Sequence, residues 1–104
     1  SRKINLAFAE TAFATSDVEA VATGSAGAAV LKQYRNEITI KNPNVTEKSL
    51  IYVTPVGNTN NKVLYLLRQT PENPNTPVSE GSFTVGVNSA SSAPDIKFNW
   101  IIVN

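Results

Sequence analysis

Large apolar residues in this chain fall on every second position, in short runs, and turn-forming residues interrupt those runs at intervals of roughly 8–12 residues. Ile4, Leu6 and Phe8 alternate with Asn5 and Ala7, and Ile38 and Ile40 sit between Glu37, Thr39 and Lys41. Phe83, Val85 and Val87 then alternate with Thr84 and Gly86, and Ile96, Phe98, Trp100 and Ile102 close the series. Alternation of this kind puts each apolar set on one face of a strand, whereas a helix would need a spacing near 3.6. A chain of 104 residues suits one domain with a single two-layer core. Only 16% of the residues are charged, and the polar surface is carried mainly by Asn, Thr and Ser, a composition that suits turns and sheets better than charge-laced helices.

The remaining elements follow from local chemistry. Between Ser16 and Ala22 a helix capped by Ser16 or Asp17 competes with a thin strand through Val18, Ala20 and Ala22, and the alternation favours the strand. Gly24 and Gly27 are expected to break whatever precedes them. Ala29–Leu31 reads as a strand, Tyr34-Arg35-Asn36 as a turn, and Asn42-Pro43-Asn44 as a stop, because Pro cannot donate to a ladder and Asn accepts turn dihedrals. Ser49–Thr54 is rich in β-branched and aromatic residues; Pro55 should end it, and the Asn-rich stretch Gly57–Asn61 should fold it back as a hairpin onto Lys62–Arg68. Pro71, Pro74 and Pro77 favour an extended loop. The expected fold is all-β, a single β-sandwich, Ig-like or jelly-roll-like, of about seven or eight short strands. Residues 1–26 form an extended N-terminal segment and 27–104 the sandwich domain.

Absent residue types narrow the chemistry. With no His and no Cys, a Ser-His-Asp triad, a thiol nucleophile, a disulfide and a His- or Cys-ligated metal are all ruled out. The eight carboxylates are scattered, so an enzyme is not expected, nor a catalytic residue, a metal or a cofactor. Asp17 with Glu19, or Glu72 with Asn73 and Asn75, are the only acidic groupings with oxygen ligands for calcium, and neither has the density of a calcium loop. A net charge of +1 gives no field to draw nucleic acid, and no apolar run approaches the ~20 residues of a membrane-spanning helix. Trp100, Tyr34, Tyr52 and Tyr65 are the aromatics available for a sugar platform, although Trp100 sits in an inward-facing pattern. Lys3 with Asn99 or Asn104 is compatible in position with an inter-strand isopeptide bond. Asn44-Val45-Thr46 matches a glycosylation acceptor at Asn44.

Two central runs, Leu50–Val53 and Val63–Leu67, are apolar on both faces. A sandwich strand in water needs only one apolar face, so the second calls for a cover, and a neighbouring copy is a natural one. The N-terminal alternation of Ile4, Leu6 and Phe8 suits addition to a neighbour's sheet edge.

The runs Glu37–Thr46, Ser49–Pro55, Gly81–Val85 and Phe98–Asn104 together resemble β-rich modules found at the ends of phage tail fibres and in bacterial surface or filament proteins. The resemblance spans roughly residues 27–104 and is a pattern of strands and turns. It implies a non-enzymatic, self-associating domain at the cell surface, outside the cell or on a virion. The chain starts Ser1-Arg2-Lys3 and contains no Met, which fits N-terminal processing or excision from a longer protein. The expected role is a filament subunit that partners itself; the other reading is a monomeric module that binds cell-surface glycans or another surface.

Overall fold

The computed structural model describes residues 11–57, 59, 62–73, 75, 80–88 and 95–104. Eight strands are present among the described residues: β1 (Phe13–Ala14), β2 (Glu19–Val21), β3 (Ala26–Leu31), β4 (Glu37–Lys41), β5 (Leu50–Val56), β6 (Leu64–Thr70), β7 (Ser82–Val87) and β8 (Ile96–Val103). They form a five-stranded sheet in the order β1-β2-β4-β7-β6 and a three-stranded sheet in the order β3-β8-β5. The two sheets pack as a β-sandwich with no helix among the described residues. All pairs are antiparallel except β2 with β4; β3, in the other sheet, lies between those two in the chain.

Period-two alternation determines which side chains enter the core. From the large sheet come Ala20, Ile38, Ile40, Phe83, Val85 and Val87, and from the small sheet Ala29, Leu31, Ile51, Ile96, Phe98, Trp100 and Ile102, all buried. Phe83 and Trp100 meet edge to face with centroids 5.5 Å apart, a preferred arrangement of two quadrupoles. Trp100 is therefore a core residue, as its inward pattern requires. The stretch after Asp17 is a strand: Ala20 pairs with Ile40, and Ala20 and Ala22 are almost fully buried.

Three local expectations are corrected. Gly27 does not break the chain; it lies within β3 opposite Trp100, so the boundary drawn between residues 26 and 27 falls inside a strand. Pro55 does not end β5, which runs on to Val56 with Pro55 opposite Phe98. An edge strand tolerates Pro because one side of it needs no ladder donor. The hairpin between the fifth and sixth strands does not form: β5 pairs with β8 and β6 with β7. Gly57, at φ 84°, turns the chain out of the small sheet immediately after β5, and the connection crosses to the large one.

The turn from β3 to β4 carries a second left-handed residue. Tyr34 has φ 69° in a turn closed by the Arg35 N–H donating to the Lys32 carbonyl at 3.1 Å. A side chain bearing Cβ costs about 1–2 kcal/mol in that region, and the Tyr34 ring is exposed, so packing returns little. Tyr34→Asn, which accepts left-handed dihedrals, is expected to raise stability by about 1 kcal/mol, read as a higher midpoint in urea with an unchanged slope.

Candidate functional site

The middle of the large sheet's outer face is occupied by polar groups, while Phe13, Val21, Tyr65 and Leu67 of the same sheet are exposed. In register across β2, β4, β7 and β6 lie Glu19, Thr39, Thr84 and Arg68. The hydroxyls of Thr39 and Thr84 are 2.9 Å apart in a hydrogen bond. Lys41 pairs with Glu19 at 3.5 Å, Arg68 with Glu37 at 3.7 Å and Arg35 with Asp17 at 3.7 Å. Exposed pairs of this kind add little stability singly, but they leave the face hydrated and electrically balanced. Tyr65 lies over Gly86, where a Cβ would come within 3.3 Å of its ring.

The outer face of the small sheet carries fewer charges. Inward residues of β8 alternate with Lys97, Asn99, Ile101 and Val103, which point outward. Register places Leu50 beside Val103, Tyr52 beside Ile101, Thr54 beside Asn99 and Val56 beside Lys97; Ala26, Ala28 and Val30 of β3 complete the face from the other side. Leu50 is 56% exposed, Tyr52 55%, Val56 48% and Val103 42%. One end of this face, at Lys97 and Asn99, is polar, and the other is a contiguous patch of Leu50, Tyr52, Ile101 and Val103. Lys97 carries the only charge on the three strands. A one-sided apolar patch of this kind marks an interaction surface more often than an isolated exposed apolar residue does.

The connection from β4 to β5 is pinned by neutral polar side chains. Asn42, fully buried, donates from Nδ2 to the Gly24 carbonyl at 2.7 Å and accepts the Asn44 N–H at 2.8 Å. Asn44 donates from Nδ2 to the Thr23 carbonyl at 2.8 Å, and Asn104 donates from Nδ2 to the Asn44 carbonyl at 3.0 Å. The Ser49 hydroxyl donates to Asn104 Oδ1. Gln69 Nε2 donates to the carbonyls of Thr46 and Ser49, both at 3.1 Å. Asn44, half-buried, is thus a structural hydrogen-bonding residue in the folded chain, and so is Asn104.

The other candidates lie apart. Asp17 and Glu19 face cations rather than each other. Glu72 Oε1 accepts the Gly81 N–H at 2.8 Å and the Glu80 N–H at 3.2 Å, while Asn73 Oδ1 caps the Asn75 N–H at 3.0 Å. Among the described residues no cluster of three or more His, Cys, Asp or Glu is placed to hold a metal, and no helix is long and apolar enough to cross a membrane. Tyr52 and Tyr65 lie on opposite outer faces and Trp100 is inside, so the four aromatics make no common platform. Asn99 is flanked by Ala28 and Thr54, and β3, β5 and β8 carry no carboxylate to assist an isopeptide bond there. Lys3, Ile4, Leu6 and Phe8 lie outside the described residues. A cavity of about 370 Å³ is floored by Ala12, Ala20, Ala29 and Ile38. The charged side chains at its rim are already engaged, Asp17 with Arg35 and Lys32 with Asp95 at 3.3 Å. The Gln33 N–H, donating to Asp95 at 2.9 Å, and secondarily Lys32, hold the Asp95 carboxyl below its ordinary pKa.

The apolar excess expected on β5 and β6 is present on both, with Leu50, Tyr52 and Val56 exposed on one sheet and Tyr65 and Leu67 on the other. The two strands lie in different sheets, which the expected hairpin concealed. No family model, curated protein or solved structure matches the chain.

Proposed function

We propose that the chain is a non-enzymatic structural subunit of an extracellular filament or fibre, pilus-like or tail-fibre-like, that assembles by strand addition and apolar contacts between copies. One observation carries this reading: on the outer face of the small sheet, where Lys97 is the one charged strand residue, Leu50, Tyr52 and Val103 stand exposed around Ile101. A surface of that kind gains free energy when a copy of the chain covers it, at roughly 25 cal/mol per Å² of apolar area. The lack of His and Cys and the engaged acids agree with a role that needs no bond-making chemistry.

Light scattering across a concentration series, with electron microscopy of the same samples, tests the reading. The intact chain is expected to form concentration-dependent assemblies, and a chain lacking residues 1–9 to form shorter ones or none. The truncation stops short of Ala12, because Ala12 is buried and its N–H donates to the Ala28 carbonyl at 2.8 Å. A monodisperse monomer at millimolar concentration would refute the filament role and leave the monomeric carbohydrate- or surface-binding module in its place.

A further inference from the structure

We propose that residues 4–8 of one copy add as an extra strand to the β5 edge of the next copy, a placement that rests on the self-assembly reading above. Four strands lie at sheet edges, and three are poor acceptors. β1 has only two residues. β6 is interrupted by a register shift between Leu66 and Arg68. β3 is already flanked by its own chain, through the parallel bridge of Thr11 with Ala28 and the bond from Ala12. β5 pairs with β8 in unbroken register over seven residues and, among the described residues, has no strand on its other side. Pro55 lacks an N–H, so the acceptor is Leu50–Thr54.

The core is also incompletely closed where β5 meets β6. Val53, Leu64 and Leu66 pack against it but stay only partly buried. A strand added to β5 with Ile4, Leu6 and Phe8 turned inward would cover these three, and its period-two alternation would leave Asn5 and Ala7 beside Leu50, Tyr52 and Thr54.

The donor must come from another copy. Thr11 stands one strand outside β3, so a position beyond β5 is four inter-strand spacings away, about 19 Å. Phe8 is three residues from Thr11 and reaches about 11 Å at most. Donor and acceptor therefore occupy different surfaces, a head-to-tail relation that gives a ring or an open filament rather than a two-fold dimer.

The chain has no Cys, so introduced thiols report unambiguously. Ala7→Cys chains are mixed in equal amounts with Leu50→Cys, Tyr52→Cys or Thr54→Cys chains and oxidised, with Arg35→Cys on the distant β3–β4 turn as control. At least one β5 position should give a mixed disulfide at ten or more times the control yield. Assembly by light scattering with no yield above control would overturn this acceptor and leave self-assembly standing. Neither assembly nor cross-link would overturn both.

Discussion

Leu50→Glu combined with Tyr52→Glu is expected to leave the chain folded and to take its assemblies apart. Both side chains point away from the core, on the same face as Ile101 and Val103, and each is more than half exposed. Their replacement removes no core packing, and the thermal midpoint should move by only a few degrees. Burying a large apolar side chain is worth about 1.5–3 kcal/mol, so losing two from a contact between copies removes about 3–6 kcal/mol. That corresponds to a fall in association constant of roughly 10²–10⁴-fold, before the cost of placing two carboxylates in an apolar contact. Sedimentation velocity at several concentrations would read the change. An unaltered concentration dependence would show that this face is not where copies meet.

The candidate surface and the fold were legible to different depths in the amino-acid order. Class was plain: Ile38 with Ile40, Phe83 with Val85, and Phe98 with Trp100 each alternate over enough residues to leave no helical alternative, and all six are buried. Their alternation is a local property, so it survives into the tertiary structure. Pairing is not local. Ser49–Thr54 and Lys62–Arg68, separated by an Asn-rich turn, have the signature of a hairpin, yet an arch between two sheets uses the same residues. What separates the outcomes is Gly57 at positive φ and the long ladder between β5 and β8, which involves residues about fifty positions apart. Glycine shows the same limit. Gly24 and Gly27 look alike in sequence, but Gly27 lies opposite Trp100 in a regular strand.

The candidate surface was half visible. Apolar residues on both faces of 50–53 and 63–67 signal uncovered area, but only the sheet order says that Leu50 and Tyr52 join Ile101 and Val103 while Tyr65 rests on Gly86. The polar network around Asn42 left less trace. Asn42-Pro43-Asn44 announces a stop, and nothing in it announces that Gly24, Thr23 and Asn104 will supply the partners.

That network makes Gly81→Ala a strongly destabilising change. A Cβ at Gly81 would collide with the backbone carbonyl oxygen of Asn42 and lie 3.0 Å from Glu72 Oε1. A side chain can swing aside; the carbonyl cannot, because the Asn42 N–H donates to the Gly81 carbonyl at 2.8 Å and its amide holds Gly24 and Asn44. Relief of the clash requires the end of β4 to separate from the start of β7. Overpacking of this kind costs about 1–3 kcal/mol, and loosening a fully buried amide adds about 1–3 kcal/mol for the polar groups left unpaired. The expected total is about 2–6 kcal/mol, and at about 4–8 °C per kcal/mol for a domain of this size the thermal midpoint should fall by about 8–48 °C. A variant melting within 3 °C of the parent would mean that Asn42 and Gly81 are not locked together as described.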